Sequence, residues 1–228
     1  MPSPPRRLIV VGDSLFAEIA YEYFTHDSEY EVVGFAVEDA YRKQDTFHEL
    51  PVHSFDTLEE HVEVGEHSVF AALTYTKLNR VRQRISGDAK RKGFALASYV
   101  SSRAFVWRNV ELGEHNFIFE DNTIQPFVKI GDDNVMWSGN HIGHHSTIGS
   151  HIFIASHAVI SGNVTIGDNS FIGVNATIVN DIAIGHDNWI GPAVTVMKST
   201  KENEFWLPPR SALRETTPRQ AFGVDEAA

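Results

Sequence analysis

The sequence predicts an α/β domain followed by a β-solenoid: a small Rossmann-like parallel sheet over residues 1–100, a parallel β-helix of hexapeptide repeats over 101–201, and a tail over 202–228. Three observations predict it. Aliphatic residues recur at every sixth position from Val106 to Val196 without a break, a period that fits neither a helix nor a flat strand. Before residue 100, short apolar runs alternate with amphipathic helical segments, the pattern of a parallel sheet with crossover helices. The 228 residues give room for two such units.

In chain order, Arg7 to Val11 (RLIVV) reads as a buried strand, Gly12 as a turn, and Leu15, Phe16, Ile19, Ala20 and Tyr23 as one face of a helix. Glu31 to Val37 predicts a second strand. Further strands at 68–73 and 95–100 flank a helix carrying Leu78, Val81 and Ile85. A dinucleotide fingerprint would place three glycines after the first strand, where this chain has Gly12, Ser14 and Ala17. The small residues of Gly12–Asp13–Ser14 still let a ligand approach a helix start, where amides and dipole favour phosphate. The acidic pair Glu38–Asp39 stands where a ribose or a base could donate to it. The competing reading is an ordinary strand–turn–helix with solvated acids.

In the repeat, three hexads make one triangular coil, so residues eighteen apart stack and form three columns, nearly all isoleucine. Glycine follows eight of the sixteen column residues, and the residue two before is always Ala, Val, Ile, Ser or Asn, small enough for a corner of the coil.

Five of the twelve histidines fall between 141 and 157. His145, His151 and His157 are six apart and so lie on three different faces, which argues against a metal site within one subunit. His115 and His151 share a face but are two coils apart, roughly 9 to 10 Å, too far to chelate one ion. His144 differs, because Gly162 lies eighteen residues on and about 4.8 Å away. A histidine one rung from a bare glycine amide supplies a general base beside a donor for an oxyanion, the minimum for acyl transfer.

The formal net charge of −11 gives no general attraction for nucleic acid or anionic membrane. Lys198, Lys201, Arg210, Arg214 and Arg219 form a local basic stretch after the last coils, readable as an anion contact or as a solvated tail. There is no cysteine, which excludes disulfides and thiolate catalysis. The apolar stretch at the start is too short for a signal peptide, and a cytoplasmic location is the simplest expectation.

With a Rossmann-like start ahead of hexads, then HHSTIG (144–149) and ISGNVTIG (160–167), the chain resembles the sugar acyltransferases grouped with sialic-acid O-acetyltransferase and bacillosamine N-acetyltransferase. The resemblance runs from about residue 7 to 200 and implies a left-handed β-helix, a homotrimer, acetyl-CoA or another acyl-CoA as co-substrate, no metal, and a nucleotide-linked sugar as acceptor. By the same resemblance His144 matches the general base and Gly162 the amide facing the thioester carbonyl. Gly12, Asp13, Ser14, Glu38 and Asp39 match the nucleotide-sugar contacts. The cofactor side is expected at Phe153, Gly162, Val174 and Pro192, with Lys198, Lys201 or Arg210 for the CoA phosphates. Four places depart from the family pattern: His145 stands where an acid usually follows the base, Phe153 where a histidine usually meets CoA, Pro192 where a glycine usually lies, and Leu207–Pro208–Pro209 where a Gly-x-Pro is usual near the end. His141, in Asn140–His141, is the alternative base, since other hexapeptide acyltransferases use an Asn-His pair.

The sequence thus predicts an acyl-CoA-dependent N- or O-acyltransferase acting on a nucleotide-linked sugar for bacterial surface polysaccharide. Two other readings are a non-catalytic nucleotide-binding trimeric scaffold and a zinc-dependent hydratase of the carbonic anhydrase kind.

Overall fold

The computed structural model describes residues 6–224. Its first domain is a six-stranded sheet built from β1 (Arg6–Val11), β2 (Tyr30–Val37), β3 (Thr46–Phe47), β4 (Leu50–Ser54), β5 (His67–Ala71) and β6 (Ala95–Leu96). The strand order is β3-β4-β2-β1-β5-β6, parallel except for the β3–β4 hairpin. Alternation along β1 separates the two faces. Leu8 and Val10 pack with helix α1 (Leu15–His26), whereas Ile9 and Val11 pack on the side of helix α2 (Arg80–Arg91). No helix among the described residues is long and apolar enough to cross a membrane.

The segment expected as one strand at 95–100 divides. Ala95–Leu96 closes the first sheet, while Tyr99–Val100 pairs with Phe117–Ile118 and is the first rung of the solenoid. The two short strands serve different domains and are contiguous in sequence, so hydrophobicity alone does not separate them.

The solenoid consists of two-residue strands stacked in three parallel sheets of seven, six and five strands. The column residues from Ile118 to Val196 are buried, and only Val106 and Leu112, with no complete coil beneath them, remain accessible. One rung more than the period predicts follows at Phe205–Trp206, which pairs with Trp189–Ile190 across a coil of sixteen residues instead of eighteen.

Corner chemistry differs from the expectation. The residue three before each column position, from His115 to Ala193, is left-handed, with φ between +55° and +77°. Asn, Asp, His and Gly tolerate that conformation best, and they fill these corners except at Phe127 and Ala193. His145, His151 and His157 are spaced by six because each turns a corner. The residues two before the column instead point inward and seal the coil. The Asn134 and Ile152 amides donate to Asn116 and Asn134 Oδ1 at 3.0 and 2.8 Å.

The outward residues of the seven-stranded sheet face the first domain. Phe117 meets Phe16 and Phe24, both at 5.6 Å, on α1, and higher up Phe171 meets Tyr75 at 4.8 Å. The two domains therefore share a core.

Candidate active site

His144 and His145 lie exposed at the corner joining the six- and five-stranded sheets, away from the face that the first domain covers. The imidazole of His144 sits over Gly162: a methyl placed on Gly162 would lie 2.7 Å from His144 Cε1 and 2.8 Å from Nε2. A side chain at 162 would occupy the place of the ring.

At the corner between the five- and seven-stranded sheets, the equivalent amides are capped from the next coil. Glu114, Asp132 and Ser150 donate to Asp132 Oδ1, Ser150 Oγ and Asp168 Oδ1 at 2.9, 3.0 and 2.8 Å. Gly162 can offer no such cap, and the His144 amide turns instead to Gln125 Oε1 at 2.9 Å. The Gly162 N–H itself has no partner among the described residues. The corner thus presents a ring nitrogen able to take a proton beside a free backbone donor, a pair that fits the two charges developed when a nucleophile adds to a carbonyl.

Around this pair, His144 Nδ1 and His145 Nδ1 are 3.2 Å apart. Asn163 donates to Asp181 Oδ1 at 2.9 Å. The Asp181 carboxyl is held below its ordinary range by hydrogen bonds from Asn163 and Asn180. Lys198 is exposed in the same column as His144, three coils on, or about 14 Å. His141 is half-buried on the flat of the six-stranded sheet, between Thr123 and Val159.

Other expected residues are elsewhere. Phe153 does not shape an open groove: it is 4% exposed and packs against Tyr75 and Phe171 at 5.0 and 5.7 Å, inside the core between domains. It points outward from the one sheet that the first domain covers, which the period does not reveal. Val174 and Pro192 are exposed one coil apart at the third corner, between the seven- and six-stranded sheets. Lys201 lies at the solenoid end against Gly185 and Asn188, away from the His144 corner. Arg210 is exposed in the irregular segment after Trp206.

A second feature lies where β1, β2 and β5 end and both helices begin, the usual crevice of an open parallel sheet. This cleft of about 580 Å³ is lined by Gly12, Asp13, Ser14, Glu38 and, from the loop before α2 and its first turns, Lys77, Arg80 and Arg84. Glu38 is not free, since Arg84 holds both its oxygens at 2.8 and 2.9 Å. Asp39 lies outside the lining, its amide donating to Asp56 Oδ2 at 2.9 Å. The three cations were missed in the sequence, although Arg80 and Arg84 are four apart and share a helix face. Lys77, Leu78 and Asn79 all take left-handed φ values of 51°, 52° and 67°, bringing the cations to the cleft mouth.

The opposite face of α2 carries Arg82, fully buried between the domains. It donates to Asp133 Oδ1 at 3.2 Å and to the carbonyls of Asp133, Thr74 and Ile152. His115 and His151 donate through Nδ1 to the two Asp133 oxygens at 2.6 and 2.7 Å, while the Ala71 amide donates to His115 Nε2 at 2.8 Å. Burial alone would raise the Asp133 carboxyl, but the Arg82 charge and the two imidazole hydrogen bonds hold it well below its ordinary range. The histidines two coils apart therefore bracket a carboxylate.

Fold and site together define a class: a Rossmann-like domain with a cleft lined by Lys77, Arg80 and Arg84, joined to a hexapeptide β-helix whose corner sets an imidazole over an open amide. No protein-family model and no curated protein sequence matches the chain. Solved structures do share its fold. The acetyltransferase domain of PglB from Neisseria gonorrhoeae FA1090 superposes with a TM-score of 0.78 at 20% identity, covering 88% of this chain and 95% of that one. PerB from Caulobacter crescentus, solved in complex with CoA and GDP-perosamine, gives 0.76 at 22% identity over 87% and 92%. WeeI from Acinetobacter baumannii AYE gives 0.70 at 21% identity over 87% and 94%. The shared fold is a Rossmann-like domain followed by a left-handed parallel β-helix.

Proposed function

We propose that the protein is an acyl-CoA-dependent N- or O-acyltransferase, with acetyl-CoA the first candidate, acting on a nucleotide-linked sugar in the cytoplasm for surface-polysaccharide assembly. The observation that carries this reading is the His144 imidazole lying over Gly162, whose N–H is unpartnered. Support comes from neighbours of the same fold that were solved with acetyl coenzyme A or with CoA and GDP-perosamine.

In this mechanism neutral His144 takes the proton from the acceptor amine or hydroxyl at Nε2 as that group attacks the thioester carbonyl. The new oxyanion accepts from Gly162 N–H. Collapse breaks the carbon–sulfur bond, and the departing thiolate receives the proton from His144. Transfer is direct in this reading, since the chain has no cysteine, and no serine in a recognisable nucleophile motif, to carry the acyl group. Lys198, in line with His144, is the candidate for the phosphate end of the acyl-CoA, while Gly12–Asp13–Ser14, Lys77 and Arg80 are candidates for the nucleotide's diphosphate.

The His144 corner and the chain's own cleft belong to different faces, so a homotrimer in which a neighbouring subunit closes the site fits the geometry. Thiol release from a panel of acyl-CoAs with nucleotide-linked sugars tests the reading. His144→Ala is expected to lower kcat by about 10²–10⁴ with the oligomer unchanged by light scattering. Near-normal turnover in that variant would move the base to His141. Nucleotide binding with no thiol release from any donor would favour the scaffold reading.

A further inference from the structure

Resting on the acyl-transfer reading, we propose that His145 is a positioning residue that holds His144 in the one neutral tautomer able to act as a base. The two Nδ1 atoms are 3.2 Å apart, with the rings nearly perpendicular at 84°. Two like nitrogens share a hydrogen bond only when one carries a proton and the other a lone pair. A proton on His144 Nδ1 leaves the lone pair at Nε2, the atom over Gly162. The reverse arrangement puts the proton on Nε2 and removes the base.

His145 is itself held in place. Its backbone turns the corner at φ 60°, and its ring stacks on Phe127 at 4.6 Å and 28°. Phe127 departs from the corner rule, a bulky residue at φ 66° where the other corners hold Asn, Asp, His, Gly or Ala. A side chain of that size is strained in that conformation. The ring is 56% exposed, and His145 is its only ring partner among the described residues. A strained, exposed aromatic clamps the imidazole that meets the base.

The other groups facing His144 do not take this role. Asp181, at the corner one coil above Asn163, is hydrogen-bonded to Asn163 and Asn180, and Gln125 receives the His144 backbone amide rather than its ring. The base is therefore oriented by a neutral acceptor. A carboxylate in that place would stabilise the imidazolium and shift the balance toward the protonated ring.

Asn and Asp place Oδ1 where histidine has Nδ1, and both tolerate a left-handed corner, as does Gly with no acceptor at all. The test therefore uses His145→Gly, His145→Asn and His145→Asp, read by ¹⁵N spectra of the ring nitrogens and by the pH profile of kcat. Wild type is expected to show His144 protonated at Nδ1. The Gly variant should lose that tautomer and about tenfold or more of kcat, with the KM for acyl-CoA little changed. Asn should restore both, and Asp should restore the tautomer while moving the acid limb of the profile to higher pH by roughly one unit. A wild-type His144 protonated at Nε2, or a Gly variant with wild-type spectrum and profile, would overturn the proposal. The spectra need no turnover, so an absence of thiol release defeats only the acyl-transfer reading.

Discussion

Replacing Gly162 by alanine isolates the geometry of the corner from its chemistry. The added methyl keeps the backbone N–H but would lie 2.7 Å from His144 Cε1. Ordinary carbon contacts are about 3.5–4.0 Å, so the ring must retreat by about 0.8 Å or more. A displacement of about 1 Å at a reacting group costs on the order of 10²-fold in rate, or about 2.7 kcal/mol of barrier. Stability should move little, because Gly162 is not in a left-handed conformation and His144 is exposed. Steady-state thiol release alongside thermal melting reads both quantities. A Gly162→Ala protein that keeps more than about half the wild-type kcat would refute the placement of the base over this amide.

The buried interface yields two further expectations. Arg82→Met should leave the Asp133 carboxylate buried without its cation and cost about 3–5 kcal/mol, measured by urea unfolding, with Asp133→Asn in the same chain recovering part of the loss. Acid should loosen the same interface. The Asp27 carboxyl is lowered to about 2 by hydrogen bonds from Tyr99 and Ser102, and Asp133 is lowered as well. Carboxyls held low in the folded state contribute fully above their unfolded range, near pH 4, and lose that contribution as pH falls, for Asp27 between about pH 4 and 2. Equal urea midpoints at pH 7 and pH 3 would contradict this.

Much of the solenoid is legible in the sequence because burial of one residue in six is periodic, and period survives without tertiary information. The rung at Tyr99–Val100 keeps the period but is masked by the strand it abuts, and the rung at Phe205–Trp206 was not legible because its coil is two residues short and breaks the count. His144 and Gly162 could be paired because stacking by eighteen is a local rule. Phe153 could not be placed, since nothing in the period tells which of three faces the first domain covers. Likewise Glu38 and Arg84, 46 residues apart, meet only in the folded cleft. The corner pattern of Asn, Asp, His and Gly was present in the sequence, one position away from where the turn was sought.

Those left-handed corners also bear on how such a molecule acquires chemistry. The turn admits few side chains without strain, and the short list that it admits is rich in groups that bind or move protons. A chain that repeats the turn some fifteen times therefore displays imidazoles, carboxylates and amides along its edges as a by-product of folding. At the His144 corner the left-handed position is His145, and the bare neighbour Gly162 leaves a backbone donor uncovered beside the imidazole that precedes it.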